Sequence, residues 1–368
     1  GECTLAHWRD AGARDLDRTQ EPSTRAYLAT DSDESKDFAQ CLTRNRHPSA
    51  LQWVGGVEFS RQTMHELQTR ILTPDLRYIT TLIYPSEGYS RYTRSGFFQT
   101  TYQFNNTAAT LGGRYDEFSD FSSHFSPRFT LSHFFTSADT LKLMLGNAFL
   151  SPTAFQRFGS GLTILAAPTL KAEQMNTYEL AWLHNTNKQS IAITAFANAW
   201  KDAIVLGPAG GPDKFKVQYA NEENSRSHGV ELEWQQDWSA VKSHLSYTRS
   251  QAKNQRSGLD YTGFPKNILT LNLGYELSGL PVSIGLQSVF ANQFDLREAI
   301  ASDPNPPSSP SYIRFDFHAN WVIDKNLSLF ADTRNLANRT NPVASVFNQE
   351  FGLADESATV LIGANLLW

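Results

Sequence analysis

Apolar and polar positions alternate along most of this chain, and the last eleven residues show the pattern most clearly. Residues 358–368 read ATVLIGANLLW. The apolar positions of one face are Val360, Ile362, Ala364, Leu366 and Trp368. Because successive side chains of a strand point to opposite faces, this period of two predicts a strand with one apolar face. An apolar face that ends in an aromatic residue is typical of the last strand of an outer-membrane barrel, although a soluble sandwich could also end in such a strand.

The same alternation recurs upstream, and its clearest example is the segment 312–321. One face is apolar and consists of Ile313, Phe315, Phe317, Ala319 and Trp321. The other face is polar and consists of Tyr312, Arg314, Asp316, His318 and Asn320. The apolar face of such a strand contacts either membrane hydrocarbon or a protein core, and its polar face contacts water. Counting every segment of this kind predicts about fourteen strands of the length that crosses a membrane.

The connections between these strands are of two kinds that alternate along the chain. The short connections are 105–107, 137–139, 186–189, 237–240, 278–281 and 324–326. The long connections are 61–95, 151–172, 205–218, 251–262, 294–311 and 337–357. Short turns on one side and long loops on the other are typical of outer-membrane barrels and not of soluble sandwiches. The predicted fold is therefore all-β, an antiparallel transmembrane β-barrel in the outer membrane of a Gram-negative bacterium.

Composition excludes several other classes. The chain has 368 residues, a mean hydropathy of -0.40 and a net charge of -5. No apolar run reaches the ~18 residues of a transmembrane helix, and the charge gives no reason to expect nucleic acid as a partner. The nine His residues are scattered, and no metal-ligand spacing or nucleophile motif is present. We therefore expect no enzyme activity, no bound metal and no cofactor.

An ordered series of short motifs resembles the TonB-dependent outer-membrane receptors. The motifs are LGGRYDEF (111–118), FSPRFTL (125–131), NAFLSPTAF (147–155), SRSHGVELEW (225–234) and FDFHANWVIDKNLSLFADTRNLANRTNP (315–342). The resemblance covers residues 49–368 as receptor barrel and leaves residues 1–48 as an unassigned, loop-rich segment. It implies a plug inside a barrel of twenty-two strands, so that the plug and the first strands are absent from this sequence.

The resemblance also implies a function, which is energised uptake of a scarce nutrient chelate of the ferric siderophore, haem or cobalamin class. The implied partners are that small-molecule chelate, outer-membrane lipid and lipopolysaccharide, the barrel-assembly machinery, and the TonB complex through the missing N-terminal part. The alternative is a passive porin or structural barrel of about fourteen strands, closed by itself.

Six charged residues are predicted to line the lumen, because they lie on polar strand faces. They are Arg114, Asp116, Arg128, Arg314, Asp316 and His318. Each of them either guides the ligand or only solvates the lumen and braces the plug. Aromatic and basic residues of the connection 76–95 are expected to make the first contacts with a ligand, since binding begins outside.

The two cysteines of the chain, Cys3 and Cys41, form a predicted disulfide in an outward-facing segment. This expectation rests on export into an oxidising compartment and on the absence of any third cysteine. The alternative is a pair of unpaired thiols.

The terminal strand generates a prediction about assembly. Ile362, Leu366 and Trp368 form the apolar, aromatic-ended pattern that we expect insertion into the outer membrane to use. Deleting Trp368 should lower the amount of inserted barrel, measured by heat-modifiable mobility of membrane fractions, and should leave ligand affinity per inserted molecule unchanged. Normal insertion of the truncated chain would contradict this role.

Overall fold

The computed structural model of the protein describes residues 2–17, 27–45, 50–72, 78–83, 88–161, 164–213, 215–296, 305, 307–343 and 353–366. These residues form twenty strands, one short α-helix and one 3₁₀ turn. Eighteen of the strands belong to a single hydrogen-bonded sheet. The predicted all-β, antiparallel class is therefore confirmed, while the predicted number of about fourteen strands was too low.

The first ten strands lie in the N-terminal half of the chain. They are β1 (Glu2–Asp17), β2 (Tyr27–Arg44), β3 (Leu51–Leu72), β4 (Tyr78–Ile83), β5 (Ser90–Phe104), β6 (Thr107–Phe118), β7 (His124–Phe134), β8 (Asp139–Leu150), β9 (Ile164–Leu165) and β10 (Glu173–Asn185). The helix α1 (Ala154–Phe158) lies between β8 and β9.

The remaining ten strands follow in the C-terminal half. They are β11 (Gln189–Pro208), β12 (Val217–Asp237), β13 (Val241–Asn254), β14 (Asn267–Glu276), β15 (Val282–Ala291), β16 (Tyr312–Val322), β17 (Leu327–Arg334), β18 (Pro342–Val343), β19 (Leu353–Ala354) and β20 (Thr359–Leu366). The 3₁₀ turn (Gly211–Asp213) separates β11 from β12.

The six predicted short turns are confirmed, and their sequences explain them. Asn105, between β5 and β6, has a φ of 47°, and Gly279, between β14 and β15, has a φ of 79°. Asn and Gly tolerate this left-handed region best, which allows a chain reversal within a few residues. The short connections therefore join neighbouring antiparallel strands directly.

The long segment 61–95 and the N-terminal segment 1–48 differ from the sequence-based expectation. β3 continues to Leu72, β4 follows, and β5 begins at Ser90, so much of 61–95 is strand. Within 1–48, which was expected to be loop-rich, β1 and β2 form a long antiparallel hairpin. Segments such as 29–37, ATDSDESKD, are polar on both faces, so that pairing with a neighbouring strand, and not an apolar stripe, determines their conformation.

The chain divides into two compact units. The first consists of Gly1–Leu131, Leu145–Thr177 and Ala199–Asn224. The second consists of Ser132–Met144, Tyr178–Asn198 and Ser225–Trp368.

In the first unit, neighbouring strands are paired so that one face is apolar and exposed. β3 pairs with β5, and β5 pairs with β6, in continuous antiparallel register. Large apolar side chains of this face are 48–63% exposed, namely Leu51, Val57, Phe98, Leu111 and Tyr115. An exposed apolar band on a sheet of this kind is what contact with lipid requires. We call it the apolar face, and the opposite side the polar face.

The second unit repeats this division. β13, β14, β15, β16 and β17 pair in sequence order, and β17 pairs with β20. On the apolar face, Leu286 lies opposite Phe317, and on the polar face Gly285 lies opposite His318. Trp321 of the apolar face is 50% exposed.

The terminal strand β20 keeps its apolar side chains exposed. Ile362 is 77% exposed and Leu366 is 60% exposed, and they lie opposite Ala331 and Leu327 of β17. Trp368 lies outside the described residues. The role of this strand in assembly therefore stays a prediction.

The N-terminal hairpin joins the two cysteines. Cys3 of β1 and Cys41 of β2 are directly opposite partners, with their Cα atoms 4.1 Å apart, and their sulfur atoms are bonded. A separation this short is typical of a pair of strand residues that do not exchange backbone hydrogen bonds. The cysteines thus lie in strands and not in a loop.

The alternation of faces on β16 can be tested with two adjacent substitutions. Phe317→Arg should destabilise the inserted protein by about 2–4 kcal/mol, because it places a cation in hydrocarbon near the middle of the strand. His318→Arg should cost far less, since this side chain lies on the polar face, next to the carboxylate of Asp332. Urea titration in lipid vesicles measures both, and equal losses would mean that the faces are assigned incorrectly.

Candidate functional site

On the polar face of the first unit, Arg114 is surrounded by carboxylates. Its Nε donates to Asp116 Oδ1 at 2.9 Å, and its Nη2 lies 3.1 Å from Glu58 Oε1. The Ser95 hydroxyl also donates to Asp116, at 2.6 Å, and Asp116 is only 3% exposed. Residues two apart on a strand share a face, which is why the Arg-x-Asp spacing forms this pair locally. Arg114 and Asp116 therefore brace the sheet across three strands.

A polar cavity of about 430 Å³ adjoins this pair. Its lining includes Lys36, Glu58, Arg114 and Asn147. Arg128, the third candidate of this unit, packs over the backbone of Gly112, where an added Cβ would meet its Nε at 3.0 Å. The glycine thus provides the space that the guanidinium side chain occupies.

The second unit contains the same Arg-x-Asp arrangement on β16. Arg314 Nε donates to Asp316 Oδ1 at 2.8 Å, and its terminal nitrogens lie 3.4 Å from both Asp355 and Glu356. The Tyr312 hydroxyl donates to Asp355 at 2.7 Å. This hydrogen bond lowers the pKa of Asp355 below its usual range, against the opposing effect of burial. Arg314 therefore ties the connection before β20 onto the strand.

Asn335 completes this attachment. Its side chain is fully buried and donates to the carbonyls of Arg339 and Glu356 at 2.9 and 2.8 Å. Its backbone N–H donates to Asp316 Oδ1 at 2.8 Å. The buried amide is therefore satisfied by two backbone carbonyls of the connection between β17 and β20.

A cavity of about 960 Å³ in the second unit lies over a pair of glycines on the polar face. Gly274 and Gly285 are opposite each other, with Lys242 and His318 as the next partners on either side. An added Cβ on either glycine would meet nothing closer than 3.8 Å. The His318 Nδ1 lies within hydrogen-bonding distance of Asp332 Oδ1 at one edge of the cavity.

A second cavity of about 510 Å³ lies at the end of the strands that carries the long connections. Three aromatic residues contribute to its lining, namely Tyr261, Phe264 and Phe294. Asp260 and Lys266, also in the lining, form an ion pair at 2.5 Å. The hydrogen bond from Lys266 lowers the pKa of Asp260. The cavity therefore combines flat apolar surface with charges of both signs, a combination that suits an amphipathic small molecule.

A buried cluster that we call the loop clamp consists of Tyr89, Arg91, Asp120 and Arg157. Asp120 Oδ2 lies 2.9 Å from Arg91 and 2.7 Å from Arg157, and each of these three side chains is at most 12% exposed. Arg91 also donates to the Pro152 carbonyl at 2.9 Å, and Arg157 donates to the Pro168 carbonyl at 2.7 Å. The clamp thereby fixes the connection 151–172 to β5 and to the connection 119–123.

The contacts within the loop clamp shift the pKa values of Asp120 and Tyr89. Burial raises the pKa of Asp120, but hydrogen bonds from Arg91 and Tyr89 and the charges of both arginines outweigh it, so the pKa is lowered overall. Burial and the hydrogen bond to Asp120 raise the pKa of Tyr89 to about 12. Asp120 is therefore ionised and Tyr89 neutral at neutral pH.

The structure places the predicted site residues in two separate groups. Arg114, Asp116 and Arg128 belong to the first unit, and Arg314, Asp316 and His318 belong to the second. Arg91 and Tyr89, which lie in the segment expected to contact a ligand first, are instead held in the clamp. No local pattern in the sequence indicates that cluster, because Asp120 lies 29 residues after Arg91 and 37 residues before Arg157.

Two further structural findings concern only the described residues. No group of three or more His, Cys, Asp or Glu side chains there could hold a metal ion. Within the same residues, no helix is both long and apolar enough to cross a membrane.

The loop clamp generates a prediction about stability and pH. Asp120→Asn should destabilise the outer connections by about 3–5 kcal/mol, because it leaves two buried guanidinium groups without their carboxylate. Since the folded pKa of Asp120 is lowered, its contribution is complete above the pKa of the unfolded chain and is lost as pH falls through the folded value. Protease cleavage within 151–172, followed from pH 7 downwards, measures this loss.

The matched control for this experiment is Asp260→Asn. Its partner Lys266 is 44% exposed, so this pair should contribute no more than about 1 kcal/mol. If both variants become sensitive to protease to the same extent, the clamp does not hold the connection.

Comparison with known proteins shows which family this geometry belongs to. The family model "TonB dependent receptor-like, beta-barrel" matches residues 4–336. The iron-regulated outer membrane virulence protein of Vibrio cholerae serotype O1 is 23% identical over 277 residues, which are 70% of this chain and 41% of that protein. The chain therefore spans less than half the length of this curated relative.

Solved structures show the same fold. The copper transporter OprC superposes with a TM-score of 0.77 at 15% identity, over 99% of this chain and 62% of that one. The ferric enterobactin receptor of Pseudomonas aeruginosa gives a TM-score of 0.72 at 16% identity, over 98% of this chain and 59% of that one. The family match, with the two-faced sheet described above, establishes that this chain belongs to the β-barrel family of the TonB-dependent receptors of the bacterial outer membrane.

Proposed function

We propose that the protein takes up a ferric chelate of the siderophore class as an energised receptor. The observation that carries this proposal is the cavity of about 510 Å³ at the end with the long connections, lined by Tyr261, Phe264 and Phe294. Aromatic rings contact the flat apolar parts of a chelate, while charged side chains contact its polar groups. The names of an iron-regulated outer-membrane relative and of a ferric enterobactin receptor support this choice.

The charges of the polar face support a path for a polar cargo. Arg114 in the first unit and Arg314 in the second each lie among carboxylates, so that the polar face of each unit offers paired charges and hydrogen-bonding groups in place of a field of one sign. Paired charges hydrate a passage without holding an anionic chelate tightly. We infer that binding occurs at the outer cavity and that the wall allows passage.

Energised uptake distinguishes this proposal from a passive pore. Cells that express the complete protein should accumulate radiolabelled iron from a ferric siderophore, and an uncoupler should abolish uptake while leaving surface binding intact. Uptake that an uncoupler does not change would favour the passive pore, and competition by haem or cobalamin would identify a different chelate class.

The outer cavity generates a direct prediction on affinity. Replacing Phe264 and Phe294 together by Ala should weaken binding of the ferric siderophore by about tenfold or more, because two aromatic contacts are lost. Trp321→Ala is the matched control, since this aromatic residue lies on the apolar face of β16 and is 50% exposed. Quenching of tryptophan fluorescence by the chelate measures both, and equal affinities of the two variants would exclude the cavity as the binding site.

A further inference from the structure

The disulfide lies on the apolar face of the first unit. Cys3 and Cys41 are opposite each other, and the same register row continues through Val57 of β3, Gly96 of β5 and Tyr115 of β6. Val57 is 63% exposed and Tyr115 is 49% exposed. Residues in one such row share a face, so both sulfur atoms are on the side that meets lipid.

The distances from the disulfide to the polar groups on either side of it along the hairpin place it within the hydrocarbon layer. Arg44, the last residue of β2, lies three residues from Cys41, or about 10 Å along the strand. The first strongly polar pair of this face, His7 hydrogen-bonded to Asp37, lies four residues in the other direction, or about 13 Å along the strand. A strand tilt of about 35–45° shortens these spans by about a quarter, which still leaves the sulfur atoms well inside an apolar band of ~25 Å.

The side chains around the disulfide agree with this depth. On β1, β2 and β3, the adjacent row towards the long connections consists of Leu5, Ala39 and Phe59. The adjacent row towards the short turns contains Thr43 and Gly55. Arg94 and Glu117 continue the Phe59 row, but on β5 and β6, two and three strands away from Cys41. No charged group of β1, β2 or β3 on this face lies in either adjacent row.

This position has a chemical consequence. Thiol–disulfide exchange proceeds through a thiolate, and transfer of an anion into hydrocarbon is strongly unfavourable. Neither formation nor reduction of this disulfide can therefore proceed at its aqueous rate once the hairpin is in the membrane. The bond must close while β1 and β2 are still in water.

We propose that Cys3 and Cys41 are a substrate of a protein-disulfide oxidant in the periplasm, which acts before insertion of the barrel. The two thiols lose two protons and two electrons and form the S–S bond, while the disulfide of the oxidant gains them and becomes a dithiol. A mixed disulfide between one cysteine of this chain and one of the oxidant is the intermediate. The barrel-assembly step then receives a β1–β2 hairpin that is already cross-linked in register.

The experiment uses outer-membrane vesicles that carry the complete protein, made in cells with and without the periplasmic oxidant. Vesicles from the first strain are treated with dithiothreitol, and vesicles from the second with oxidised dithiothreitol. Thiols are counted after denaturation by alkylation with a maleimide of known mass. We expect the pair to be oxidised in the first strain and reduced in the second, and to change in neither treatment.

The matched control moves the pair along the same two strands. In a Cys3→Ala, Cys41→Ala background, Arg9→Cys with Ser35→Cys forms a directly opposite pair of the same face, six residues nearer the long connections. This pair should exchange at least about tenfold faster than Cys3 and Cys41, because water and thiolate reach it. Equal exchange rates for the two pairs would overturn the proposal.

Two other outcomes would also contradict the proposal. Free thiols in the native protein from oxidant-competent cells would show that the bond does not form. A closed bond in cells without the oxidant, insensitive to added thiols, would show that another route supplies the disulfide.

Discussion

The register between neighbouring strands is the constraint on which the rest of this structure depends. Every side chain of β3, β5 and β6 meets either lipid or the polar face according to which residue it opposes. A slip of one residue would exchange the two faces and place Arg114 and Asp116 in hydrocarbon. The short turns prevent such a slip, because Asn105 and Gly279 adopt left-handed backbone conformations that fix where each strand reverses.

Charged residues are arranged differently on the polar face and in the outer cavity. Arg114 and Arg314 on the polar face are held by carboxylates two residues away on the same strand and by further acids on neighbouring segments. Their donors are therefore largely occupied, which makes them braces of the wall before anything else. The outer cavity near Phe264, in contrast, combines aromatic surface with one exposed ion pair. This contrast is why we propose a binding site among the connections and not on the strands.

The sequence predicts the strands well wherever one face is apolar and the other polar. The segment 312–321 alternates strictly, and β16 covers it with the expected faces. The N-terminal hairpin does not show this alternation, because polar side chains occupy both faces of β2 near Asp33. Only the pairing of β2 with β1 and β3 holds this segment in a strand conformation. The loop clamp was also unpredictable, since Arg91, Asp120 and Arg157 become neighbours only through the positions of three different elements. Alternation along a sequence reports on a strand's surroundings and gives no information on which distant side chains will meet.

The loop clamp has a consequence for how outer connections diversify. It holds the segment 151–172 at three places, through the backbone at Pro152 and Pro168 and through the side chain of Arg157. We expect surface side chains between these anchor points to tolerate exchange, whereas loss of the Arg157 side chain would remove its contacts with both Asp120 and the Pro168 carbonyl. The anchors thus define natural boundaries for grafting foreign epitopes or altered specificities onto this receptor, in the way that framework residues bound the variable loops of an antibody.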